Sequence, residues 1–241
     1  MAEEQQPLLS IVVPMLNELE ALHSSDANRF PLHPEVEWIF VDGGSHDGSV
    51  ETLQQLMAKG ISAGRVILLN SAAGRATQMN AGAKAASGAF LLFLHIDTYL
   101  PEDFEDWLAE LKRRNPVWGF FGLKLDGARP SFRLIERMIS WRSRLDCLAT
   151  GDQAQFVRRQ VFAALGGFPN LPIMEDRELS RALRGVAKPW KVADCVLSSS
   201  RRWQQHGIWR TVLLMWVMKW RWRMGVSAEV LQRCYRENRL F

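Results

Sequence analysis

The sequence predicts an α/β fold with a mostly parallel central sheet flanked by helices and a C-terminal helical extension. The first half of the 241 residues contains four continuous apolar runs, as strands buried on both faces have. Helical patterns separate these runs, and such alternation indicates parallel strands. From Gly207 onward the chain is helical in pattern and rich in Trp, Arg and Met. We expect a domain over residues 1–206 and an extension over residues 207–241, which packs on the domain or lies at a membrane surface.

The individual elements follow from apolar runs and helix signals. Asp47 is a candidate cap for the first long helix, which Gly60 is expected to end. A second, alanine-rich helix follows Gly74. The strands of the first half are predicted at Leu8–Pro14, Val36–Asp42, Arg65–Asn70 and Ala89–Asp97. In the second half we predict a strand at Val117–Asp126, a helix at Ser131–Ala149, short strands in AQFVRR and PWKVADCVLSSS, and a helix at Arg177–Lys188.

Composition excludes several classes of protein. A net charge of +4 is too small by itself to indicate a nucleic-acid binder. Cys147, Cys195 and Cys234 are far apart, which argues against a disulfide framework or a zinc site. The N-terminus lacks the features of a secretory signal, and no apolar run reaches the ~18 residues of a spanning helix. We expect a cytoplasmic protein, either free or at the inner face of the plasma membrane.

Polar side chains follow each of the four predicted strands of the first half. Ligands of open parallel sheets bind outside the carboxyl ends of the strands. Carboxylates can accept hydrogen bonds from a base or ribose, and an arginine can pair with phosphate. Each residue alone has an ordinary explanation as a cap, a turn or a core histidine. Together they predict a nucleotide pocket with a cation. These residues are Pro14, Asn17, Glu18, Asp42, Gly43, Ser45, Arg75, His95 and Asp97.

Four motifs resemble those of the family 2 glycosyltransferases with the GT-A fold. The first-strand segment VVPMLNE and the second-strand segment VDGGSHDGS are similar to the family's patterns. Asn80, Gly82, Ala86 and Gly88 lead into FLHID, where the family has F-L-D-x-D. The segment GGFP followed by MEDREL resembles the family's G-G-F … E-D. The variant H-x-D-T at His95 is also similar to a bacterial subgroup of the family.

The resemblance implies a glycosyltransferase of the hexosyltransferase type that uses a nucleotide-diphospho-sugar and inverts the anomeric carbon. It further implies Mg²⁺ or Mn²⁺ at the leaving diphosphate, held by Asp97 and His95. Because imidazole replaces the first acid of the family motif, two roles for His95 stay open. It either ligates the metal or contacts a phosphate or ribose while Asp97 alone binds the ion.

The resemblance also implies roles for individual residues. Asp176 is the expected general base for the acceptor hydroxyl, with Glu175 assisting. A structural role stays open for Asp176 as a helix cap and for Asp152 as an exposed turn acid. Pro14, Asn17 and Glu18 are expected at the base and ribose, Asp42 at either group, and Arg75 with Gln78 at the pyrophosphate. The donor-binding set implied is Pro14, Asn17, Glu18, Asp42, Gly43, Ser45, Arg75, Gln78, Asn80, His95, Asp97 and Asp152.

The C-terminal segment Gly207–Gly225 mixes Trp, Arg, Lys, Leu and Met, as interfacial helices do. Two interpretations stay open for it: peripheral contact with a membrane that carries a lipid-linked acceptor, or packing on the sheet with basic side chains reaching water. Two other functions also stay open: a noncatalytic nucleotide-sugar-binding protein and a sugar nucleotidyltransferase. The second lacks its expected glycine-rich loop after the first strand.

Overall fold

A computed structural model describes residues 6–23, 30–31, 33–59 and 65–239. Its centre is an eight-stranded sheet with the order β3-β2-β1-β4-β7-β6-β8-β5. The strands are β1 (Leu9–Met15), β2 (Val36–Asp42), β3 (Arg65–Asn70), β4 (Phe90–Phe93), β5 (Thr98–Tyr99), β6 (Trp118–Leu125), β7 (Phe156–Arg158) and β8 (Trp190–Ser198).

The sheet has a parallel half and a mixed half. Strands β3, β2, β1 and β4 are parallel neighbours, as their continuous apolar runs predict. Strand β7 runs antiparallel to both β4 and β6, and β5 runs antiparallel to β8, whereas β6 and β8 are parallel. The α/β class is therefore confirmed, and each antiparallel pair includes a strand from the second half of the chain, where the sequence changes character.

Helices cover both faces of the sheet. The predicted cap Asp47 accepts the N–H of Ser49, the first residue of α2, at 3.0 Å. Gly60, the predicted end of that helix, lies outside the described residues. The short helices α1, α6 and α8 and the longer α4 were not predicted. The helices are α1 (Leu19–His23), α2 (Ser49–Lys59), α3 (Arg75–Ala85), α4 (Phe104–Arg114), α5 (Pro130–Asp146), α6 (Arg159–Ala164), α7 (Glu175–Val186), α8 (Arg201–His206), α9 (Ile208–Arg223) and α10 (Ala228–Arg236).

Two apolar clusters lie on opposite faces of the sheet. Successive strand residues point to opposite faces, so Ile11 and Val13 enter one cluster while Val12 enters the other. Trp38 and Ile39 of β2 divide in the same way. Burial on both faces explains why these strands appear in the sequence as unbroken apolar runs.

Helix α3 lies close against the parallel strands because its glycine leaves room for them. A Cβ on Gly82 would lie 2.4 Å from Cγ1 of Val12 and 3.0 Å from Cγ2 of Val41. Asn80, on the same helix, donates from Nδ2 to the carbonyl of Phe168 and accepts the N–H of Phe168 at its Oδ1, both at 2.9 Å. This two-way bond attaches the G-G-F-P loop to α3.

The fourth strand is shorter than predicted. It ends at Phe93, four residues before Asp97. The chain turns there, since the N–H of Thr98 donates to the carbonyl of His95 at 3.0 Å before β5 begins. Ile96 stays buried inside the turn, so the apolar pattern continues past the end of the strand. His95 and Asp97 therefore lie on a loop.

The C-terminal helices contact the loop that leads into α7. Leu214 and Met218 of α9 and Leu231 of α10 form a buried cluster with Met174. The opposite face of α9 exposes large apolar side chains to solvent. Within the described residues, no helix has the length and apolar character needed to cross a bilayer.

We predict that Gly82→Ala lowers the free energy of unfolding by about 1–3 kcal/mol, because the added methyl group overlaps Val12 in a packed interface. Gly185→Ala is the matched control. Gly185 lies in α7, and a Cβ added there would meet no atom of the described chain within 4 Å beyond its own helix backbone. This variant should therefore gain up to about 1 kcal/mol from helix propensity. Urea denaturation measures both, and equal effects of the two substitutions would contradict the packing.

Candidate active site

The loops after β1 and β2 are joined by hydrogen bonds. Asn17, with a φ of 54°, donates its N–H to Oγ of Ser45 at 2.9 Å and accepts the N–H of His46 at its Oδ1 at 3.0 Å. The N–H of Glu18 donates to Oγ of Ser49 at 2.8 Å. Asp47 accepts the N–H of Leu19 at 3.1 Å in addition to that of Ser49. The two loops therefore form one rigid rim at the carboxyl edge of the sheet.

Asp42 holds the β2 loop of this rim in place through hydrogen bonds to its backbone. It ends β2 and is buried, and its Oδ2 accepts the N–H groups of Gly44 and Ser45 at 2.9 and 3.0 Å. Pro14 lies beside it on β1, in register with Val41, and is half-buried. Each carboxylate oxygen retains acceptor capacity after these bonds, so Asp42 can still accept a hydrogen bond from a ligand.

The Gln78 side chain forms hydrogen bonds inside the fold. Its Nε2 donates to the carbonyls of Met15 and Val41, both at 2.8 Å, and the side chain is buried. Both amide N–H groups are therefore occupied, and none remains for the pyrophosphate contact predicted for this residue. Gly43 lies against the same amide, because a Cβ there would lie 3.0 Å from Cδ of Gln78. Asn80 likewise directs its amide to the Phe168 backbone.

His95 lies between Asp152 and a glycine. Its Nδ1 is 3.2 Å from Oδ1 of Asp152. Nε2 faces Gly151, where a Cβ would come within 2.7 Å. Burial favours the neutral acid, but the hydrogen bond from His95 and the charges of His95, Arg75 and Arg142 outweigh it and lower the pKa of Asp152. Asp152 is thus a carboxylate that orients His95.

Asp176 faces the same glycine. Its Oδ2 accepts the N–H of Gly151 at 2.6 Å, and its Oδ1 accepts the N–H of Arg177 at 2.7 Å. The N-cap position of α7 belongs to Met174, and Asp176 satisfies one N–H of the first turn through its bond to Arg177. His95, Gly151, Glu175 and Asp176 line one cavity together with Arg75, Met79, Phe93, Gln155 and Phe168.

Glu175 is a buried acid beside Asp176. Its side chain is 3% exposed, and its Oε1 is 3.7 Å from Nη1 of Arg75. Burial raises the pKa of Glu175, the charge of Asp176 raises it further, and Arg75 opposes both. These surroundings favour the protonated form of Glu175.

Asp97 lies in a second acidic group on the β1 side. Burial raises the pKa of Glu18, the charge of Asp97 adds to this effect, and Arg201 opposes it. Arg201 is 3.5 Å from Glu18 and 3.1 Å from Glu20. Among the described residues, the Asp97 carboxylate has no hydrogen bond or ion pair. It is therefore free to accept a ligand.

The structure thus divides the predicted residues into three groups. Asn17, Asp42 and Ser45 form the rim, and Glu18 with Asp97 lies next to it. His95 lies in the same turn as Asp97 and lines the cavity with Glu175, so the second group adjoins the third. The third group consists of four cavity residues and the partner of His95. The cavity residues are His95, Glu175, Asp176 and Arg75, and the partner is Asp152.

The residues present fit a divalent cation in part. No three His, Cys, Asp or Glu side chains within the described ranges come together as a metal site. Mg²⁺ commonly takes one or two carboxylates and completes its shell with water and substrate phosphate. The unengaged Asp97 carboxylate suits that arrangement. His95 fits less well as a ligand, since Nδ1 meets Asp152 and Nε2 abuts Gly151.

Sequence reasoning missed several residues near the site. Arg201 begins α8 far along the chain, and Tyr235 comes from α10. Burial raises the pKa of the Tyr235 phenol, with the charges of Asp152 and Asp176 adding to it. Arg202 stacks over the Tyr235 ring at 3.6 Å and donates from Nη2 to its carbonyl at 2.8 Å. Only the fold brings these residues to the first half of the chain.

The fold and the acidic strand ends define a protein of the GT-A glycosyltransferase class. Residues 10–157 match the model described as "Glycosyl transferase family 2". This match covers more than half of the chain, and the chain belongs to that family. No curated protein matches the sequence.

Solved structures share the fold at low identity. S. aureus TarS 1–349 in complex with UDP is 19% identical with a TM-score of 0.58, and the alignment covers 85% of this chain and 64% of that chain. Another structure of TarS 1–349 gives a TM-score of 0.61 at the same identity and coverage. The mannosyltransferase PcManGT from Pyrobaculum calidifontis, in complex with GDP-Man and Mn²⁺, is 16% identical with a TM-score of 0.58, covering 97% of this chain and 70% of that one. The chain spans less than two thirds of TarS 1–349.

Glu175→Gln should change how stability depends on pH. A buried acid with a raised pKa contributes stability that is fully present below its ordinary value of 4.5 and is lost as pH rises through the raised value. Glutamine stays neutral, so the variant escapes this loss. The difference in free energy of unfolding, variant minus wild type, should grow from pH 4.5 upward and then level off.

Denaturation at a series of pH values measures this difference. Glu102→Gln is the control, because Glu102 is exposed before α4. Parallel pH curves for the wild type and Glu175→Gln would contradict the assignment of the proton to Glu175.

Proposed function

We propose that this protein transfers a sugar from a nucleotide-diphospho-sugar to an acceptor hydroxyl. Membership in family 2 supports the reaction class. The observation that carries the proposal is that Asp176 and His95 line one cavity on either side of Gly151, with the unengaged Asp97 carboxylate two residues from His95. A base and a donor-binding edge thus lie within one small region.

Asp176 acts as the general base in this proposal. The N–H groups of Gly151 and Arg177 hold its carboxylate in orientation, and each oxygen keeps a further lone pair. The carboxylate takes the proton of the acceptor hydroxyl while that oxygen bonds to the anomeric carbon. The bond from this carbon to the diphosphate breaks, and the nucleoside diphosphate leaves with the electron pair. A single displacement of this kind inverts the anomeric carbon.

Glu175 and Arg75 balance charge beside Asp176. Burial raises the pKa of Glu175 and so favours its neutral form next to the proposed base. Arg75 is half exposed at the start of α3. Its guanidinium donors suit an oxygen of the leaving diphosphate. We assign Glu175 and Arg75 as positioning and charge-balancing groups of the cavity.

Asp97 is the residue that would hold Mg²⁺ or Mn²⁺. When bound, the cation supplies positive charge to the leaving diphosphate. His95, kept in orientation by Asp152, contacts a phosphate or ribose group. This is the second of the two roles that the sequence leaves open for His95. Asp152 is left to contact a hydroxyl of the donor sugar.

The rim formed by the β1 and β2 loops receives the nucleoside. Asn17, Ser45 and Asp42 hold backbone groups of these loops in place. The remaining donor-binding residues either border the rim or support it. Pro14 and Gly43 allow the base and ribose to approach the sheet edge, and Glu18 with Arg201 closes one side. Gln78 and Asn80 support the pocket from behind through their bonds to strand and loop carbonyls.

The exposed face of α9 suits contact with a membrane. Trp209, Leu213, Trp216 and Trp220 recur every three or four residues and form one stripe, here called the α9 stripe. The three tryptophans are 66%, 66% and 63% exposed. Trp and basic residues together suit an anionic bilayer, such as the inner face of the plasma membrane. Exposed arginines accompany the stripe and the helix α5, namely Arg133, Arg137, Arg144 and Arg210.

Helix α5 carries a stripe with the same spacing. Its members are Leu134, Met138, Trp141 and Leu145, and all four are exposed. Two helices with apolar outer faces and neighbouring arginines offer a membrane more area than either helix alone. We therefore propose that α5 and α9 together form the membrane-facing surface of the protein.

Asp176→Asn should reduce sugar release from a nucleotide-sugar by at least about 100-fold, the contribution of a positioned base. Binding of the nucleoside diphosphate should stay unchanged, because the amide preserves the shape of the cavity. A thermal-shift screen of nucleoside diphosphates and nucleotide-sugars, with and without Mn²⁺, identifies the donor. Release of nucleoside diphosphate from that donor measures turnover, and calorimetry measures binding.

Asp194→Asn is the control, because Asp194 is exposed on β8. Its turnover and nucleotide binding should equal those of the wild type. Wild-type turnover in Asp176→Asn would overturn the assignment of the base. Donor binding without any turnover in the wild type would favour a noncatalytic nucleotide-sugar-binding protein. Pyrophosphate release from a nucleoside triphosphate and a sugar phosphate would favour a nucleotidyltransferase.

Replacing Trp209, Trp216 and Trp220 by Gln should weaken co-sedimentation with phosphatidylglycerol vesicles by about tenfold or more, since burying one large apolar side chain contributes roughly 1.5–3 kcal/mol. Val186→Gln with Val230→Gln removes exposed apolar side chains outside the stripe and should leave binding unchanged. Equal pelleting of the triple variant and the wild type would exclude the membrane as the partner of this face.

A further inference from the structure

The guanidinium of Arg142 is shielded from solvent without a hydrogen-bond acceptor in the described part of the chain. It lies on α5, and its Nε, Nη1 and Nη2 atoms are all shielded from solvent with no hydrogen-bond acceptor among the described residues. A guanidinium carries five N–H donors, and leaving such donors unsatisfied in the interior is unfavourable. Native structures rarely leave such donors without a partner, so the Arg142 guanidinium calls for a hydrogen-bond acceptor.

Two further basic residues, Arg177 and Lys219, lie near Arg142. Nη1 of Arg177, on α7, is also buried and without an acceptor in the described part of the chain. Lys219, on α9, interacts with both arginines, and burial with their charges lowers its pKa to about 7. These three residues, called the cation cluster, come from three different helices. Like charges held together in this way repel one another unless an anion joins them.

The nearby acids do not supply that anion. Asp176 bonds to the N–H groups of Gly151 and Arg177, Asp152 meets His95, and Asp146 accepts the N–H of Leu148 at 2.9 Å. Their charges act on Arg142 from a distance. None of the three accepts a hydrogen bond from a side chain of the cation cluster.

We infer that the cation cluster of Arg142, Arg177 and Lys219 binds a phosphate group carried by the acceptor. This inference rests on the proposed function, because it names the chemistry of the acceptor. Arginine donors match phosphate oxygens in a two-pronged way, and three cations suit a group of more than one negative charge better than a carboxylate.

The position of the cluster favours the acceptor over the donor. Arg177 of the cluster directly follows Asp176, the proposed base, in α7, and the charge of Asp176 also acts on Arg142 and Lys219. Asp97 lies on the side proposed for the diphosphate, and its charge acts on Glu18 and Arg201 instead. None of the cluster residues lines the cavity that His95 and Asp176 share. A phosphate held here would therefore present its alcohol to Asp176 from outside the donor pocket.

The phosphate could come from a soluble ester or from a lipid. Arg142 and Lys219 each directly neighbour an exposed tryptophan, Trp141 on α5 and Trp220 on α9. The helices that supply two of the buried cations thus also carry the apolar stripes. Methyl phosphate and decyl phosphate in phosphatidylcholine vesicles are probes that separate the two sources.

Calorimetry of the full chain with each probe tests the inference. Wild type should bind at least one probe, and Arg142→Met should weaken that binding about tenfold or more, since charged hydrogen bonds are lost. Lys219→Met should act in the same direction. Arg113→Met, an exposed arginine on α4 outside the cation cluster and the proposed membrane surface, should bind as the wild type does. Binding of methyl phosphate assigns a soluble ester, and binding of decyl phosphate alone assigns a lipid; both support the site.

Two outcomes would overturn the site: neither probe binds the wild type, or Arg142→Met binds as tightly as the wild type does. Misfolding does not confuse the result, because removing an unpaired buried charge should leave the melting temperature of Arg142→Met equal or higher. Titration with the nucleoside diphosphate separates this inference from the proposed function. Nucleotide binding without phosphate binding rejects the phosphate site alone, and phosphate binding without nucleotide binding rejects the proposed donor.

Discussion

The hydrogen bond from the N–H of Gly151 to Oδ2 of Asp176, at 2.6 Å, holds the two sides of the site together. It joins the turn before β7 to the start of α7, two segments 25 residues apart. The same glycine must lack a side chain, since a Cβ would come within 2.7 Å of Nε2 of His95. One small residue therefore sets how closely His95 and Asp176 approach each other. This contact fixes the geometry on which the proposed base depends.

The C-terminal helices support that geometry from outside the matched family segment. Met174, with a φ of 71°, precedes α7 in a conformation that is uncommon for a side-chain-bearing residue. Leu214, Met218 and Leu231 pack against it, and Trp222 donates from Nε1 to Glu178 of α7 at 2.8 Å. The extension thus stabilises the turn that presents Glu175 and Asp176. The inner face of the extension therefore stabilises the start of α7, independently of what the outer face contacts.

Local sequence patterns predicted the parallel half of the sheet well. Unbroken apolar runs correctly indicated β1, β2, β3 and β4, because burial on both faces leaves no alternation. The end of β4 could not be located, because Leu94 and Ile96 remain buried after the chain has turned. Gln78 illustrates a different limit, since a polar residue near the strand ends looks the same whether it binds a ligand or strand carbonyls. Its two bonds to Met15 and Val41 appear only in three dimensions.

Charges that meet across long sequence distances could not be predicted at all. Arg142, Lys219 and Tyr235 lie on helices whose patterns indicate only amphipathic or interfacial character, yet each comes near Asp176. The most direct test of the central claim is a crystal structure with the nucleotide-diphospho-sugar and Mn²⁺. The account predicts an anomalous Mn²⁺ peak at the Asp97 carboxylate, the nucleoside on the β1–β2 rim, and the anomeric carbon facing Asp176. A nucleotide bound away from that rim, or with its sugar turned away from Asp176, would contradict it.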